Sequence, residues 1–382
     1  MTGRERLMAI LRQEKNVDRF AWAPLIDGYY MSSLPAGSDI LAAFRDIGAD
    51  VMERHVHTWC GTIDFRRDRL VREGLRKERR VDYVANGVTV QVALQPTVQG
   101  TELTQSYTIP GRTLTARSVF TETSPFLPFP VEHLIKDIDD LVAYRYIVEH
   151  EQYKADFDNF TVEDKRIGDL GIATDTALGS PIQGLLQHLI GIEPFYTVFL
   201  PDHREELLAL MDAMHRSHCA LCEIMAGSPA EVVIDYENTS TTFISPDLYE
   251  EFTLPIIDDY ADIFHSRNKL FLTHRCGKLR ALLPLLRRGR DDGIVDISPE
   301  PTGDLPIWEA KQALPGKVVA GGLDATFLAH WNPDQVVAYT REIMDRSGGP
   351  DRLIIGSADA VPKDARLDNM KAIGAAIAAA GG

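Results

Sequence analysis

His274 and Cys276 stand either side of an arginine in "FLTHRCGKL", residues 271–279, just where an apolar run gives out. A neutral imidazole and a thiolate form a donor pair that suits zinc. Two ligands do not complete a site, so a third must come from elsewhere in the chain. Without one, the pair reads as a buried cysteine beside a hydrogen-bonded imidazole. Glu237, in "DYENTSTTFISP", could ligate a metal, act as a general acid or only accept hydrogen bonds. Ser245 caps the helix that begins "PDLYEEF", and Glu237 lies too far ahead of it to share that duty.

A second stretch rich in the same residue types is "MHRSHCALC", residues 214–222. His215, Cys219 and Cys222 share one helical face there. Leu207, Met211, Met214, Leu221 and Met225 surround them with an apolar stripe, and a free cysteine packs as a small hydrophobe. This stretch is expected to be core. Asp27, His55, Asp175 and Asp359 each lie at or near the end of an apolar run and are candidates for orienting a substrate or cofactor. Tyr29, Tyr30, Met31, His55, His57, Trp59 and Phe243 would line a site for a flat molecule, or serve as ordinary packing.

The elements that must position these groups follow from the hydrophobic pattern. Eight short apolar runs, "FAWAPLI", "DVMERHV", "IGDLGIAT", "AEVVIDYEN", "NKLFLTHRC", "DGIVDISPE", "KVVAGGLD" and "RLIIGSAD", end at polar residues, and helix-period segments separate most of them. That alternation predicts an α/β fold, a (β/α)8 TIM barrel, whose working face is the C-terminal end of its strands. A dinucleotide-type open sheet lacks support, because no glycine-rich phosphate turn is present. Residues 78–127 break the alternation with strand-like stretches and turns at Asn86-Gly87 and Pro110-Gly111, which predicts a β-rich insertion after the second strand. The whole of residues 1–382 is expected to form one barrel domain carrying that insertion.

A formal charge of −16 disfavours nucleic acid as a partner. The N-terminus alternates charged and aliphatic residues and lacks the apolar core of a signal peptide. No run approaches the roughly 18 apolar residues of a membrane span. Four cysteines in 382 residues make no disulfide framework, so a cytoplasmic protein is expected.

"TGRERLMAILR", "GSPIQGLLQHLIGIEPFY", "SPDLYEEFTLPIIDDYADIFHSRNKLFLTHRCGKLRALLP" and "VVAGGLDATFL" together resemble the uroporphyrinogen decarboxylase-like superfamily over nearly the whole chain. The resemblance implies a (β/α)8 barrel and a choice among tetrapyrrole decarboxylases and zinc- and corrinoid-dependent methyltransferases. The decarboxylases carry arginines after the first strand to clamp carboxylates, whereas "LIDGYYMSSLP" here has none. The methyltransferases carry His-x-Cys after the fifth strand, which His274 and Cys276 match. The thiol-methylating ones add a cysteine after the last strand, where this chain reads "GSADAVP". The resemblance therefore implies the O-demethylase type: transfer of a methyl group from a methoxylated, aromatic donor to cob(I)alamin. His274, Glu237, Asp27 and Asp359 are the expected catalytic set, with His274, Cys276 and Glu237 as ligands of a zinc ion. His55, Asp175, Tyr29 and Tyr30 are expected to face the corrinoid. The carrier's Asp-x-His-x-x-Gly motif is missing, so cobalamin should arrive on a separate corrinoid protein or free. A uroporphyrinogen decarboxylase, a thiol methyltransferase and a non-catalytic corrinoid-binding subunit stay open as alternatives, as does a homodimer.

Overall fold

The computed structural model describes residues 1–35, 37–63, 79–122, 124 and 128–381; of His55 and Arg79 only the backbone is described. The chain forms two compact units. Met1–Thr58, Asp156–Leu178 and Met225–Gly382 make the first, Trp59–Ala155 and Gly179–Ile224 the second.

In the first unit each of the eight apolar runs supplies a strand: β1 (Ala21–Trp22), β2 (Val51–Val56), β3 (Gly171–Ala177), β4 (Val232–Tyr236), β5 (Leu270–His274), β6 (Gly293–Ile297), β7 (Val318–Leu323) and β8 (Leu353–Ser357). They form one curled parallel sheet in the order β1-β8-β7-β6-β5-β4-β3-β2. The Asp50 N–H donates to the Trp22 carbonyl (2.8 Å) and joins the two end strands at their foot. Parallel neighbours need long crossovers; helices such as Pro246–Phe252 and Leu254–His265 between β4 and β5, and Pro333–Ser347 between β7 and β8, supply them. The arrangement is consistent with a (β/α)8 barrel.

Alternation along the strands decides what fills the interior. Met52, Ile172, Val232, Ile234, Leu272, Val295, Val318, Ala320 and Ile354 make an apolar layer, and Leu7, Met8, Ile10 and Leu11 of α1 (Gly3–Leu11) pack onto it. Burying each of these larger side chains stabilises the fold by about 1.5–3 kcal/mol. α1 starts with a capping box between Thr2 and Glu5, and its buried Arg6 pairs with Asp18 and Asp50. Two residues beyond that apolar layer, the inward positions turn polar: Met52 is followed by Arg54, Ile234 by Tyr236 and Leu272 by His274. The chemistry therefore sits on a greasy floor at the C-terminal end.

The second unit holds a five-stranded antiparallel sheet of residues 79–85, 88–97, 100–109, 112–120 and 129–132. Asn86 and Gly87 both take positive φ (50° and 82°), as a two-residue hairpin turn with the right twist demands. Val88, Val90, Val92 and Leu94 alternate onto one face and pack with Ala143 and Ile147 of the helix Ile138–His150. "MHRSHCALC" lies within the 23-residue helix Arg204–Ala226 of the same unit. No helix among the described residues is long and apolar enough to cross a membrane.

Candidate active site

His274 is the last residue of β5, and it faces inward because Leu272, two residues earlier, belongs to the apolar floor. Gly277 then turns the chain with φ 90°, and a side chain at that position would strike Ser240. Cys276 is thereby left at the strand end, half-buried. Asp359 follows β8, open to solvent. One ligand atom from each of His274, Cys276 and Asp359 lies within 4.8 Å of the other two, the sole such group among the described residues. A tetrahedral zinc ion with ligand bonds of 2.0–2.3 Å needs donor atoms roughly 3.3–3.8 Å apart. Nitrogen, sulfur and oxygen donors from three separate side chains fit such an ion after small side-chain movements.

What holds His274 is as informative as what it meets. Its Nδ1 lies 2.6 Å from Oδ2 of Asp296, and the same oxygen accepts from Arg54 Nη1 at 2.6 Å. Both partners are buried, Arg54 at 2% and Asp296 at 0% exposure. With Nδ1 so engaged, Nε2 is the nitrogen left for Cys276 and Asp359. The ring of Tyr236 stacks on the imidazole at 5.0 Å between centroids.

The electrostatics follow from this packing. Burial opposes a charge on His274, but the hydrogen bonds and negative charges of Asp296 and Cys276 outweigh it and lift its pKa to about 10. Burial likewise opposes the charge on Asp296, yet Arg54 and His274 keep its carboxyl below the ordinary value. Asp359 is raised, by partial desolvation against the strand ends and by Asp296, although His274 works the other way. Burial raises the Tyr236 phenol.

Asp296 reaches this position through a fault in the ladder. On β6, Gly293 and Val295 pair with Leu272 and His274 and share their inward side, so a regular strand would turn Asp296 outward. Instead the register of β6 against β7 slips between Ile294 and Ile297, and Asp296 takes φ 67°. This β-bulge swings its carboxylate into the barrel. Gly321 (φ 120°) lies against it, and a Cβ there would meet Ile297 N at 2.7 Å.

Glu237, expected as a ligand, does not join the group. It shares strand parity with Asp235, opposite to the inward Tyr236, and both carboxylates bear on Arg275. Arg275 is wholly buried, bonds to Thr273 and Thr239, and lies over the ring of Tyr249. The chain of contacts continues from Thr273 to Asp291 and Lys317. Burial and the neighbouring Glu237 push the Asp235 carboxyl well up. This network pins the ends of β4 and β5 from behind.

The remaining expected residues are placed as follows. Asp27 caps the short helix Gly28–Met31, accepting from the N–H groups of Tyr29 and Tyr30. Tyr30 is buried, while Tyr29 is partly open. Asp175 is fully buried and accepts from the backbone and hydroxyl of Thr58 and from Thr176 N–H, which ties β2 to β3. It thus braces the sheet and presents no face to a cofactor. The His55 side chain lies outside the described residues. Trp59 packs edge-on against Tyr153 in the second unit. Three residues escaped the sequence reading: Arg54, Tyr236 and Asp296. Alternation from Met52 and Ile234 identifies the first two; nothing local signals the bulge that delivers the third.

The solved structure of a methyltransferase from Methanosarcina mazei shares the fold, with a TM-score of 0.63, 15% identity and 99% of each chain covered. A B12-independent methionine synthase from Shewanella sp. W3-18-1 aligns over 89% of this chain and 85% of its own at 12% identity and a TM-score of 0.46. No curated protein sequence matches. The family model for uroporphyrinogen decarboxylase (URO-D) matches residues 177–379, more than half the chain, which spans β4 to β8 and every residue of the His274–Cys276–Asp359 group. This chain belongs to the uroporphyrinogen decarboxylase (URO-D) family.

Proposed function

We propose that this protein is a methyltransferase that moves a methyl group from a methoxylated aromatic donor to cob(I)alamin presented by a separate corrinoid protein. The observation that carries this reading is the convergence of His274, Cys276 and Asp359 at the C-terminal ends of β5 and β8. Three protein ligands with a fourth position open is the pattern of a catalytic zinc site. A zinc ion held there would supply Lewis acidity to the ether oxygen of the donor.

The donor set favours an ether over a thiol. A thiolate-rich site suits a soft sulfur substrate, whereas here Ala358 and Asp359 occupy the last turn and the third donor is an oxygen. In the reaction the C–O bond breaks, the methyl group leaves with the corrinoid, and the phenolic oxygen keeps the electron pair. Such an oxygen has an intrinsic pKa of about 10 and departs slowly unless a cation or a proton meets it. In this reading His274 would present Nε2 towards it while Nδ1 stays on Asp296. In a metal-free site the same atom would carry a proton, since Asp296 and Cys276 favour the imidazolium. Tyr236 forms the flat wall beside it.

A tetrapyrrole decarboxylase fits less well. Its polycarboxylate needs cationic clamps, and the segment after β1 offers none: Asp27 there caps a helix. The test is a screen of methoxyarenes with chemically reduced cobalamin, following methylcobalamin by absorbance, beside metal analysis of the purified protein. The expected result is methylcobalamin formed only with a methoxylated donor. Decarboxylation of uroporphyrinogen, or methylation of a thiol, with no demethylation of any methoxyarene would overturn it.

A further inference from the structure

We infer that Asp296, anchored by Arg54, is a positioning residue that fixes the ring nitrogen His274 offers to a metal ion. The inference rests on the metal-assisted reading above and adds a part that no ligand count reveals. Asp296 is wholly buried and acts through the imidazole.

Three observations carry it. First, a carboxylate on Nδ1 at 2.6 Å requires that nitrogen to be the protonated one, so the lone pair of the neutral ring sits on Nε2, the nitrogen left to share an ion with Cys276 and Asp359. A free imidazole carries no such preference and can rotate. Second, the carboxylate is itself held. Arg54 Nη1 bonds the same Oδ2, so a charge fully removed from solvent has its counter-charge in contact. A buried carboxylate without such a partner would be strongly destabilising. Third, the fold accepts an unfavourable backbone state to put Asp296 there. A non-glycine residue at φ 67°, a slipped register, and a glycine at 321 with no room for a Cβ all serve one side-chain direction. Outer-shell carboxylates of this kind on metal-bound histidines commonly set affinity within a 10- to 100-fold range.

The test uses the full-length protein with zinc alone, and with cobalt(II) as a spectroscopic substitute. Zinc affinity is measured by competition with a chelating dye for wild type, Asp296→Asn, and the double variant Arg54→Met/Asp296→Asn. The double variant leaves no lone charge in the core and serves if the single one does not fold. Either variant is expected to bind zinc about 10- to 100-fold more weakly. The visible bands of its cobalt form should shift as His274 loses its fixed orientation, with far-UV circular dichroism unchanged. Equal affinity and an unchanged cobalt spectrum in the folded variants would overturn this inference alone. Failure of the wild type to bind either metal would overturn it together with the Lewis-acid reading.

Discussion

Two stretches of this chain carry histidine and cysteine at close spacing, and the fold treats them in opposite ways. "THRC" ends a strand; "MHRSHCALC" lies inside a helix of 23 residues. At the strand end, side chains from distant parts of the sequence converge, so His274 and Cys276 meet Asp359 from 83 positions further along. On the helix, neighbours are supplied by the same helix and its packing face. There Cys222 is buried, and His218 is held neutral by burial, with a pKa lowered to about 4. Among the described residues no third ligand converges on that helix. Residue type alone does not make a site; convergence of separate elements does.

The largest test of this contrast is His274→Ala. It should lower zinc affinity by at least about 100-fold, since a direct ligand matters more than an outer-shell one, and abolish methyl transfer while the protein stays folded. Metal analysis and turnover check it, and full metal content in the variant would break the contrast. Next in size, Asp359→Asn, which keeps a neutral and weaker oxygen donor in place, should weaken zinc by roughly 10-fold or more, whereas Glu237→Gln should leave metal affinity alone. Glu237 instead helps balance the buried Arg275, so its loss should cost about 1–3 kcal/mol of stability. If the two variants change places in a dye-competition assay, strand parity has misled us about the third ligand.

The helix side makes a prediction in pH. His218 has a folded pKa of about 4 against an ordinary 6.5. Its neutral form therefore supports the fold fully above pH 6.5, and that support is lost as pH falls from 6.5 towards 4, because the unfolded chain takes the proton first. Denaturant melts of wild type and His218→Gln should diverge over that window by about 1–3 kcal/mol; parallel curves would count against it. The smallest effect expected is that of Cys222→Ser. A hydroxyl in place of a packed thiol should cost about 1–2 kcal/mol and leave zinc binding intact, and any loss of metal would make the helix a second site after all.

Much of the barrel was legible because its signal is local. A short, largely apolar run ending at a polar residue, repeated eight times with helices between most of them, placed every strand of the parallel sheet. His274 and Cys276 were legible for the same reason: they close such a run. The carboxylates were harder. Asp27, Asp175, Glu237 and Asp359 all look alike from the end of a strand, yet one caps a helix, one ties β2 to β3, one faces the buried Arg275, and one meets His274 and Cys276. On β6, "DGIVDISPE" ends at Glu300, which is exposed, whereas the residue that bonds His274 is Asp296 in the middle of the run.

The sequence by itself determined which residues alternate, where the helices start, and that an imidazole and a thiol would end the fifth strand. These depend on period and on neighbours a few positions away. Only the tertiary structure decided which carboxylate completes the group and which one orients the histidine. The first depends on how β8 and its turn stand beside β5's end once the sheet has curled. The second depends on one extra residue in the β6 ladder, which reverses the side a carboxylate faces and is accommodated by a glycine on the neighbouring strand. A period-2 pattern read along the chain cannot register that reversal, because it is produced by pairing between strands.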